Sequence, residues 1–544
     1  MSSPRAELLV RGQVVVRAEA TGVETAGAIG IASGRVVSVG SWDEVSAGAA
    51  PGAPVLDSGG SAVVPGLHDF HIHLVGLARS RGEVLLDDAP DAAEVTRRLL
   101  ERSRTLSREE WLRGRGWSEA QMAGLDTTEL GNAIGGRPAF ITSHDGHSAW
   151  VSPAVLGRAG ITADTPDPSG GRIERDASGS PTGVLRETAM DLVSDLVPEL
   201  QGEALRASMD ATLRELARLG ITGASEAGDY TAEGGIGADA AFGDSYSTLT
   251  DLGDLVDGRL RLSLGIPVDA IPVAAERGLR TGAALLGRRT MRFGWAKEFA
   301  DGALGSGTAA LFEPSTSGQG DVGILRVTAE DLDRLFELAR SAGIGLAIHA
   351  IGDRAATTVL DALARAPARA AGVPDDRMEH VQLLRAGEAA RLAILRMTAS
   401  IQPIHAAADR DLVEACWDGR QEGAYAWRSL AAAGARLAAG SDAPVESVDP
   451  WLGLFAAVHR RVPDDDRGDW RASQALTPVE ALAAYTTGPA TAVGATDEGH
   501  LRVGARADLA VLDVDLDTIL AADERLARVR SVATLVDGVE VPLT

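Results

Sequence analysis

The stretch that decides the fold of this chain is Val63-Val64-Pro65-Gly66-Leu67-His68-Asp69-Phe70-His71-Ile72-His73-Leu74. It is apolar and β-branched at its start, which predicts a buried strand that ends in His-X-His. Because successive side chains of a strand point to opposite faces, His71 and His73 emerge on the same side. Two imidazoles directed at one point are suitable metal ligands, although such a pair is also common on protein surfaces. The stretch therefore predicts a metal site only if other ligands lie nearby.

The composition excludes several classes of protein. The chain has 544 residues, enough for one very large domain or for two to four ordinary ones. Its formal net charge of -25 disfavours a nucleic-acid partner or an anionic membrane. The single cysteine, Cys416, permits no intrachain disulfide. The N-terminal residues lack the pattern of a signal peptide, and no apolar run reaches the roughly 18 residues that span a bilayer. We expect a soluble cytoplasmic protein that acts on a small molecule, and the oligomeric state stays open, with a homodimer as one option.

Lys297 is the only lysine among 52 lysine and arginine residues. A GC-rich coding sequence accounts for the preference for arginine, but it does not account for the one lysine that remains. A guanidinium and a primary amine differ in chemistry, since only the amine can act as a nucleophile or a carbamate precursor near neutral pH. The sequence therefore marks Lys297 as a residue whose amine is required.

Both ends of the chain have the pattern of short antiparallel strands. Residues 7–16 and 28–40 are rich in β-branched residues and separated by glycine turns, and residues 506–513 and 532–536 repeat this pattern. Because the termini of a domain commonly lie close together, we expect one small β-sandwich domain built from residues 1–62 and 491–544.

Between the termini, short apolar strands alternate with helical segments such as residues 331–340, which predicts βα units and a parallel sheet. Eight candidate strands favour a (β/α)8 TIM-like barrel over residues 63–490. An open doubly wound sheet is the alternative, but no phosphate-binding glycine fingerprint follows the first strand. Residues 80–215 are too long for one connection and predict an insertion after the first strand, with a strand at 138–143. The candidate barrel strands are the His71/His73 segment, 221–226, 260–266, 293–299, 345–349, 377–381, 398–403 and 436–442.

Several polar side chains fall at the ends of these candidate strands. In a barrel the carboxyl ends of the strands form one mouth, where catalytic groups lie. Four histidines, the only lysine and one aspartate at this mouth are improbable as a coincidence of structural residues. These residues are His71, His73, Lys297, His349, His380 and Asp442.

The motifs around these residues resemble the amidohydrolase superfamily, and within it the YtcJ-like branch that includes N-substituted formamide deformylases. The resemblance covers nearly the whole chain. It departs from the family pattern at Val151-Ser152-Pro153, where relatives usually have Val-Asn-Ser. The segments that carry it are 65–74, 145–150, Lys297 with 301–306, 349–353, 379–380, 402–405, 440–445 and 504–509.

The resemblance implies metal ligands and a hydrolytic mechanism. His71, His73, His349, His380 and Asp442 match the metal ligands of the family, and Lys297 matches a lysine that is carboxylated and bridges two metals in binuclear members. Imidazole and oxygen ligands suit Zn²⁺, with Mn²⁺, Fe²⁺ or Co²⁺ as alternatives. A metal would activate a water and polarise the substrate carbonyl. Asp442 is the expected proton acceptor, and His349 or His380 would contact the oxyanion as well as the metal.

The remaining candidates have lesser roles. Asp145, His147, Trp117 and His405 are candidates for substrate contacts, because they lie in or near loops of the expected mouth. Asp301 follows Lys297 by four residues and Asp353 follows His349 by four, which favours a role in orienting the metal ligands from behind. Asp69, two residues before His71, is either such an orienting residue or a salt-bridge partner.

Three functions remain at this point. The first is a metal-dependent hydrolase of a non-peptide C–N bond in an amide, a formamide or a cyclic amide. The second is a mononuclear deaminase or an esterase-type hydrolase of the same superfamily; deaminases of this kind typically lack the lysine on the fourth strand. The third is a barrel that binds a metal or ligand without turnover, which would not need both Lys297 and Asp442.

Overall fold

The computed structural model describes residues 4–86, 89–118, 121, 127–143, 148–168, 171–194, 196–198, 200–229, 237–285, 287–316 and 322–544. Within these residues the chain divides into two compact units, one of residues 1–78 with 209–544 and one of residues 79–208. The strands are numbered β1–β21 and the helices α1–α20 along the chain.

The first unit contains the expected barrel. Eight strands form one parallel sheet in the order β18-β17-β16-β15-β14-β13-β12-β5. Nearly all of their residues are buried, as is typical of parallel strands covered on both faces. The strands are β5 Leu67–Ile72, β12 Ile221–Glu226, β13 Arg261–Pro267, β14 Met291–Phe299, β15 Leu346–Ala350, β16 Arg377–His380, β17 Thr398–Ile401 and β18 Leu437–Ala439.

The barrel is closed by backbone hydrogen bonds between the end of its first strand and the residues that follow its last strand. Asp442 N donates to His71 O at 2.7 Å, and His73 N donates to Ala443 O at 2.8 Å. Asp69 joins the same two segments, because its carboxylate accepts from Ser441 N at 3.0 Å and from Ser441 Oγ at 2.6 Å. The (β/α)8 prediction is confirmed, and the closure places His71 beside Asp442.

Helices follow most of the barrel strands, and their ends carry the expected signals. For α11 (Ala329–Ala342), Asp331 N donates to Thr328 Oγ1 at 3.1 Å, and Thr328 N donates to Asp331 Oδ2 at 3.1 Å. This reciprocal capping box satisfies two backbone donors of the first turn. Gly343 ends the helix with φ = 69°, a left-handed conformation that glycine adopts without strain.

The other helices of the first unit are short to medium in length. They are α1 Trp42–Ala47, α2 Leu74–Ser80, α7 Gly202–Arg218, α8 Asp244–Asp251, α9 Gly253–Val256, α10 Ile271–Glu276, α12 Asp353–Arg365, α13 Glu388–Leu395, α14 Pro403–Ala408, α15 Arg410–Cys416, α16 Trp427–Ala432, α17 Pro450–His459, α18 Pro478–Ala484, α19 Thr487–Ala492 and α20 Leu516–Ala521. The boundaries between the two units fall within α2 and α7.

The strands of both termini form one seven-stranded sheet in the order β21-β20-β19-β4-β1-β2-β3. The two ends of the chain meet where Leu509 pairs with Pro65 in an antiparallel ladder. The sheet thus joins the termini as expected, and residues 28–40 form parts of two strands. The strands are β1 Leu8–Glu19, β2 Gly22–Ala32, β3 Arg35–Gly40, β4 Val55–Pro65, β19 Leu509–Leu512, β20 Ser531–Val536 and β21 Val539–Glu540.

The stretch from Val63 to Leu74 is not one strand, which corrects the sequence-based interpretation. β4 ends at Pro65 in the terminal sheet, and β5 begins at Leu67 in the barrel. Gly66 lies between them, and a Cβ there would lie 1.9 Å from Thr222 Oγ1. The chain can therefore pass from one sheet to the other only because this position lacks a side chain.

A buried arginine links the barrel to the terminal sheet. Arg261, at the start of β13, donates from Nε to Asp508 Oδ2 at 2.8 Å and from Nη2 to Asp537 Oδ1 at 2.9 Å. All three side chains are largely shielded from water. Removing one partner of such a buried ion pair is strongly destabilising, so these bonds couple the two parts of the first unit.

The second unit, residues 79–208, has a sheet of its own in the order β10-β11-β9-β8-β7-β6. Its Ala139–Ser143 strand matches the expected strand at 138–143. No helix within the described part of the whole chain is long and apolar enough to cross a membrane. The elements of this unit are β6 Val84–Leu85, α3 Ala92–Ser103, β7 Leu112–Trp117, α4 Thr127–Ala133, β8 Ala139–Ser143, β9 Ser148–Val151, α5 Pro153–Ala159, β10 Gly171–Arg175, β11 Pro181–Glu187 and α6 Asp191–Ser194.

Candidate metal centre

The two histidines of the His-X-His sequence meet at one carboxylate. His71 Nε2 and His73 Nε2 each lie 3.2 Å from Asp442 Oδ1. His71 and Asp442 are buried, and His73 is partly exposed. Burial would raise the pKa of Asp442, but the neighbouring imidazoles, foremost that of His71, outweigh it and hold this pKa well below the usual value. The carboxylate is therefore ionised, as a metal ligand requires.

A second group of imidazoles lies on the other side of Asp442. The rings of His349 and His380 are 4.5 Å apart between centroids, and the ring of His405 stacks on His380 at 6.0 Å. His405 Nε2 lies 3.6 Å from Asp442 Oδ2. The structure thus brings five predicted metal-ligating residues, His71, His73, His349, His380 and Asp442, together with His405, which the sequence suggested only as a substrate contact.

Two residues that sequence reasoning left out of the site fix the orientation of these rings. Glu379 Oε2 lies 2.5 Å from His71 Nδ1, and Gln402 Oε1 lies 2.9 Å from His380 Nδ1. Since a carboxylate or amide oxygen only accepts, each Nδ1 carries the proton, and each Nε2 offers its lone pair. The sequence shows Glu379 beside His380 and Gln402 before Pro403, close to the expected site. It does not predict that the Glu379 carboxylate contacts His71 or that the Gln402 amide oxygen contacts His380.

Glu379 is itself held as an anion. It is fully buried and its Oε1 accepts a hydrogen bond from Arg377 Nε. Burial would raise the pKa of Glu379, but the charges of Arg377 and His71 hold it well below the usual value. Carboxylates behind metal-binding imidazoles fix the tautomer and make the ligand more basic.

The backbone is strained at two of these side chains. His380 has φ = 74° and Asp442 has φ = 62°, in the left-handed region that residues with a Cβ rarely adopt. Such conformations cost of the order of 1–3 kcal/mol each and cluster at functional sites. His380 is the last residue of β16 and Asp442 follows the end of β18 by three residues, so both conformations occur at the carboxyl ends of barrel strands.

Lys297 is buried on β14, and its Nζ lies 4.7 Å from the centroid of the Phe299 ring. Burial lowers its pKa, although the carboxylates of Glu379 and Asp442 act in the opposite direction. A lowered pKa increases the neutral fraction of the amine, which is the form that reacts as a nucleophile. The environment of Lys297 is therefore compatible with the carboxylation that the family resemblance implies.

The three aspartates expected behind the ligands bind mainly backbone groups. Asp69 accepts from His71 N at 3.2 Å as well as from Ser441. Asp301 accepts from three backbone N–H groups, among them Gly352 N at 2.7 Å, and its Oδ1 lies 3.5 Å from His349 Nε2. Burial raises the pKa of Asp69 and of Asp301 to about 7. Asp353 accepts from Phe312 N at 3.1 Å.

Three of the expected substrate contacts belong to the second unit. Trp117 is buried in the core of that unit, and its indole N–H donates to Ile141 O at 2.8 Å. Asp145 and His147 lie outside the described residues. A substrate role for these three residues stays a prediction.

The donor set fits a divalent cation. The ligand atoms of His71, His73 and Asp442 all lie within 4.8 Å of one another, and so do those of His380, His405 and Asp442. Nε2 of His71 and Nε2 of His405 are buried without a hydrogen-bond partner among the described residues. A buried polar atom without a partner costs about 1–3 kcal/mol unless a ligand takes that place. Imidazoles and a carboxylate without thiolate suit a transition metal such as zinc.

A parallel barrel with this centre at the carboxyl ends of its strands defines the chain as a metal-dependent hydrolase. The comparison with protein families gives the same answer, because the model of the Amidohydrolase family matches residues 54–542. The chain belongs to the Amidohydrolase family.

Known relatives cover nearly the whole chain. YtcJ of Bacillus subtilis (strain 168) is 30% identical over 523 residues, which cover 94% of this chain and 95% of that protein. The N-substituted formamide deformylase of Arthrobacter pascens is 30% identical over 529 residues and covers 94% of each. A solved metal-dependent hydrolase of Pyrococcus horikoshii OT3 has a TM-score of 0.72 and 26% identity, and the match covers 92% of this chain and 96% of that one. The expected resemblance is confirmed.

We expect Glu379→Gln to weaken the affinity for zinc by about 10–100-fold, because His71 would lose the anion that fixes its tautomer and basicity. Competition with a chromogenic chelator measures this affinity. Glu480→Gln is the matched control, because Glu480 pairs with Arg428 near Thr477, away from these ligands. Equal zinc affinity in the wild type and Glu379→Gln would contradict the orienting role of Glu379.

Proposed function

We propose that this chain hydrolyses a C–N bond other than a peptide bond, in an amide, a formamide or a cyclic amide. One observation carries the proposal: the Asp442 carboxylate lies 3.2–3.6 Å from the imidazoles of His71, His73 and His405 at the mouth of the barrel. The relationship to the N-substituted formamide deformylase of Arthrobacter pascens supports an N-substituted formamide or a similar small amide as the substrate.

The chain's own residues account for the proton transfers of this reaction. His71, His73 and Asp442 would hold a divalent cation, with His349 and His380 as further ligands. When bound, such a cation lowers the pKa of water toward about 7 and polarises a carbonyl. Asp442 accepts the proton of the attacking water as the new C–O bond forms. It then donates this proton to the nitrogen while the C–N bond breaks, so that a carboxylic acid and an amine leave.

Asp442 suits this double role because of its surroundings. Two imidazoles contact one of its oxygens, and the other oxygen faces His405 at 3.6 Å. The imidazoles keep it ionised before attack, and its left-handed backbone directs it into the mouth. Proton transfer by a positioned side chain contributes about 10²–10⁴-fold to the rate.

We further propose zinc as the cation and a carbamate on Lys297 as an additional oxygen ligand. Imidazole and carboxylate ligands favour zinc, with manganese, iron or cobalt as alternatives. A lysine amine can take up carbon dioxide to form a carbamate, whereas an arginine guanidinium cannot, and Lys297 is the single lysine of the chain. A cytoplasmic location agrees with the single cysteine, Cys416.

A substrate panel tests the proposal. Zinc-reconstituted enzyme is assayed with N-substituted formamides, longer acyl amides, cyclic amides and aryl esters, and the released amine or acid is quantified. We expect turnover of at least one class of C–N substrate that stops when a chelator removes the metal and returns when zinc is added. Turnover of esters alone, or turnover that survives complete metal removal, would contradict the proposal.

A further inference from the structure

Arg377 is a fully buried arginine to which the proposed reaction assigns no part. It is 1% exposed and begins β16, two residues before Glu379. Because side chains two positions apart in a strand point to the same face, the two charged groups can meet. Glu379 is the one carboxylate that pairs with Arg377 among the described residues, and it does so through Nε. A buried ion pair contributes little net stability compared with apolar side chains, so this pair points to another role.

Two aromatic rings fix the position of the guanidinium. Its Cζ lies 4.4 Å from the centroid of the Phe70 ring and 4.9 Å from that of the Trp295 ring. Phe70 belongs to β5 and Trp295 to β14, and neither strand is a neighbour of β16 in the sheet, so these contacts cross the interior of the barrel. Trp295 is itself anchored, because its indole N–H donates to Asp375 O at 3.0 Å. A guanidinium held against aromatic faces keeps a fixed plane, and with it a fixed direction for its Nε–H.

The carboxylate of Glu379 is held at both of its oxygens. Oε1 accepts from Arg377 Nε, and Oε2 lies 2.5 Å from His71 Nδ1. Glu379 is fully shielded from solvent, so bulk water does not replace either donor. The bond to Arg377 therefore decides how the carboxylate is turned about its last bond, and this rotation decides whether Oε2 faces His71. A chain of direct contacts thus runs from the aromatic rings through Arg377 and Glu379 to His71.

We propose that Arg377 is a positioning residue of the metal centre, which acts on His71 through the orientation of the Glu379 carboxylate. The proposal rests on the proposed metal-dependent function and adds to it a residue that binds neither metal nor substrate. His71 offers Nε2 to a cation only while its Nδ1 carries the proton and the ring keeps its direction. Loss of Arg377 frees Oε1 and lets the carboxylate turn, so the imidazole loses the acceptor that fixes it. The affinity for zinc then falls although no ligand has been removed.

A double-mutant cycle separates this role from a merely structural one. Wild type, Arg377→Met, Glu379→Gln and the variant with both substitutions are stripped of metal, and their zinc affinities are measured by competition with a chromogenic chelator. A structural defect would add to the effect of Glu379→Gln, whereas a role that acts through Glu379 disappears once that carboxylate is gone.

Two further variants complete the experiment. Arg460→Met is the matched control, because Arg460 is equally buried and its Cζ lies 4.7 Å and 5.0 Å from the centroids of two tryptophan rings. Arg460 donates to backbone oxygens and not to a carboxylate behind a metal ligand. Arg377→Lys keeps a positive charge at the buried position but lacks the planar fork, and it enters the same cycle should Arg377→Met fail to fold.

We expect Arg377→Met and Arg377→Lys to weaken the zinc affinity by about tenfold or more, and Arg460→Met to leave it unchanged. In the Glu379→Gln background the same substitutions of Arg377 should change it by less than about twofold. Wild-type affinity in either Arg377 variant, or an equal loss in both backgrounds, overturns the role of Arg377 and leaves the proposed function intact. A wild type that binds no zinc overturns the proposed function, and the role of Arg377 with it.

Discussion

Replacement of Asp442 by asparagine is expected to lower kcat by about 10²–10⁴-fold on whichever C–N substrate proves active. Asparagine keeps the size of the side chain but can neither accept the water proton nor carry the negative charge that both groups of imidazoles face. Steady-state kinetics of the zinc-reconstituted variant measure this loss. A parallel fall in zinc affinity is expected, because the same carboxylate is a ligand.

Two measurements make this result specific. Asp469→Asn is the control, because Asp469 pairs with His459 and Arg461, and neither of these residues belongs to the proposed ligand set. It should retain the activity of the wild type. The rate of Asp442→Asn is measured at saturating zinc, so that weaker metal binding does not account for the loss. A variant that keeps more than about a tenth of the wild-type kcat would contradict Asp442 as the proton acceptor.

Exchange of Lys297 for arginine is expected to lower kcat/KM by about 100-fold or more, although every other lysine or arginine position of the chain is arginine. Guanidinium cannot form a carbamate and would place a fixed positive charge in a buried site beside the proposed metal. Residues behind metal ligands already contribute about 10–100-fold, so a bridging ligand should contribute at least as much. Arg334→Lys, at an exposed position paired with Asp331, is the matched control and should be neutral.

A rescue experiment tests the carbamate directly. Lys297→Ala leaves space at the buried position, and short carboxylic acids such as formate or acetate can supply the missing oxygen ligand. We expect partial recovery of activity with rising acid concentration in Lys297→Ala and none in Lys297→Arg, where the space is filled. Normal turnover by Lys297→Arg without any additive would rule out the carbamate.

Much of the fold followed from the sequence because a parallel barrel has a strong local signal. The strand at 221–226 matches Ile221–Glu226, and the helix expected at 331–340 lies within Ala329–Ala342. Apolar runs, glycine turns and capping residues are properties of neighbouring residues, so a single sequence displays them. The end of each strand then placed His349, His380 and Asp442 at one mouth.

The remaining features depend on contacts between distant residues. The break at Gly66 is required because Thr222 lies against it, and 156 positions separate the two in the sequence. Glu379 reaches His71 across the barrel, and no periodic pattern predicts that contact. His380 departs from strand alternation with φ = 74°, so alternation cannot predict where its side chain points.

His405 shows a different limit of sequence reasoning. It lies four residues after Ile401, the last residue of β17, in the first turn of a helix that Pro403 begins. Whether such a residue faces substrate or metal depends on how that turn approaches Asp442. The sequence placed His405 at the mouth, and only the three-dimensional arrangement gives it two candidate co-ligands.

The ion pairs of Arg261 have a consequence for the order of events during protein synthesis. Arg261 leaves the ribosome 247 residues before Asp508 and 276 residues before Asp537. Until these two aspartates have been synthesised, the charge of Arg261 on this barrel strand lacks both of its carboxylate partners. The link between this barrel strand and the terminal sheet can therefore form only after both aspartates have emerged from the ribosome.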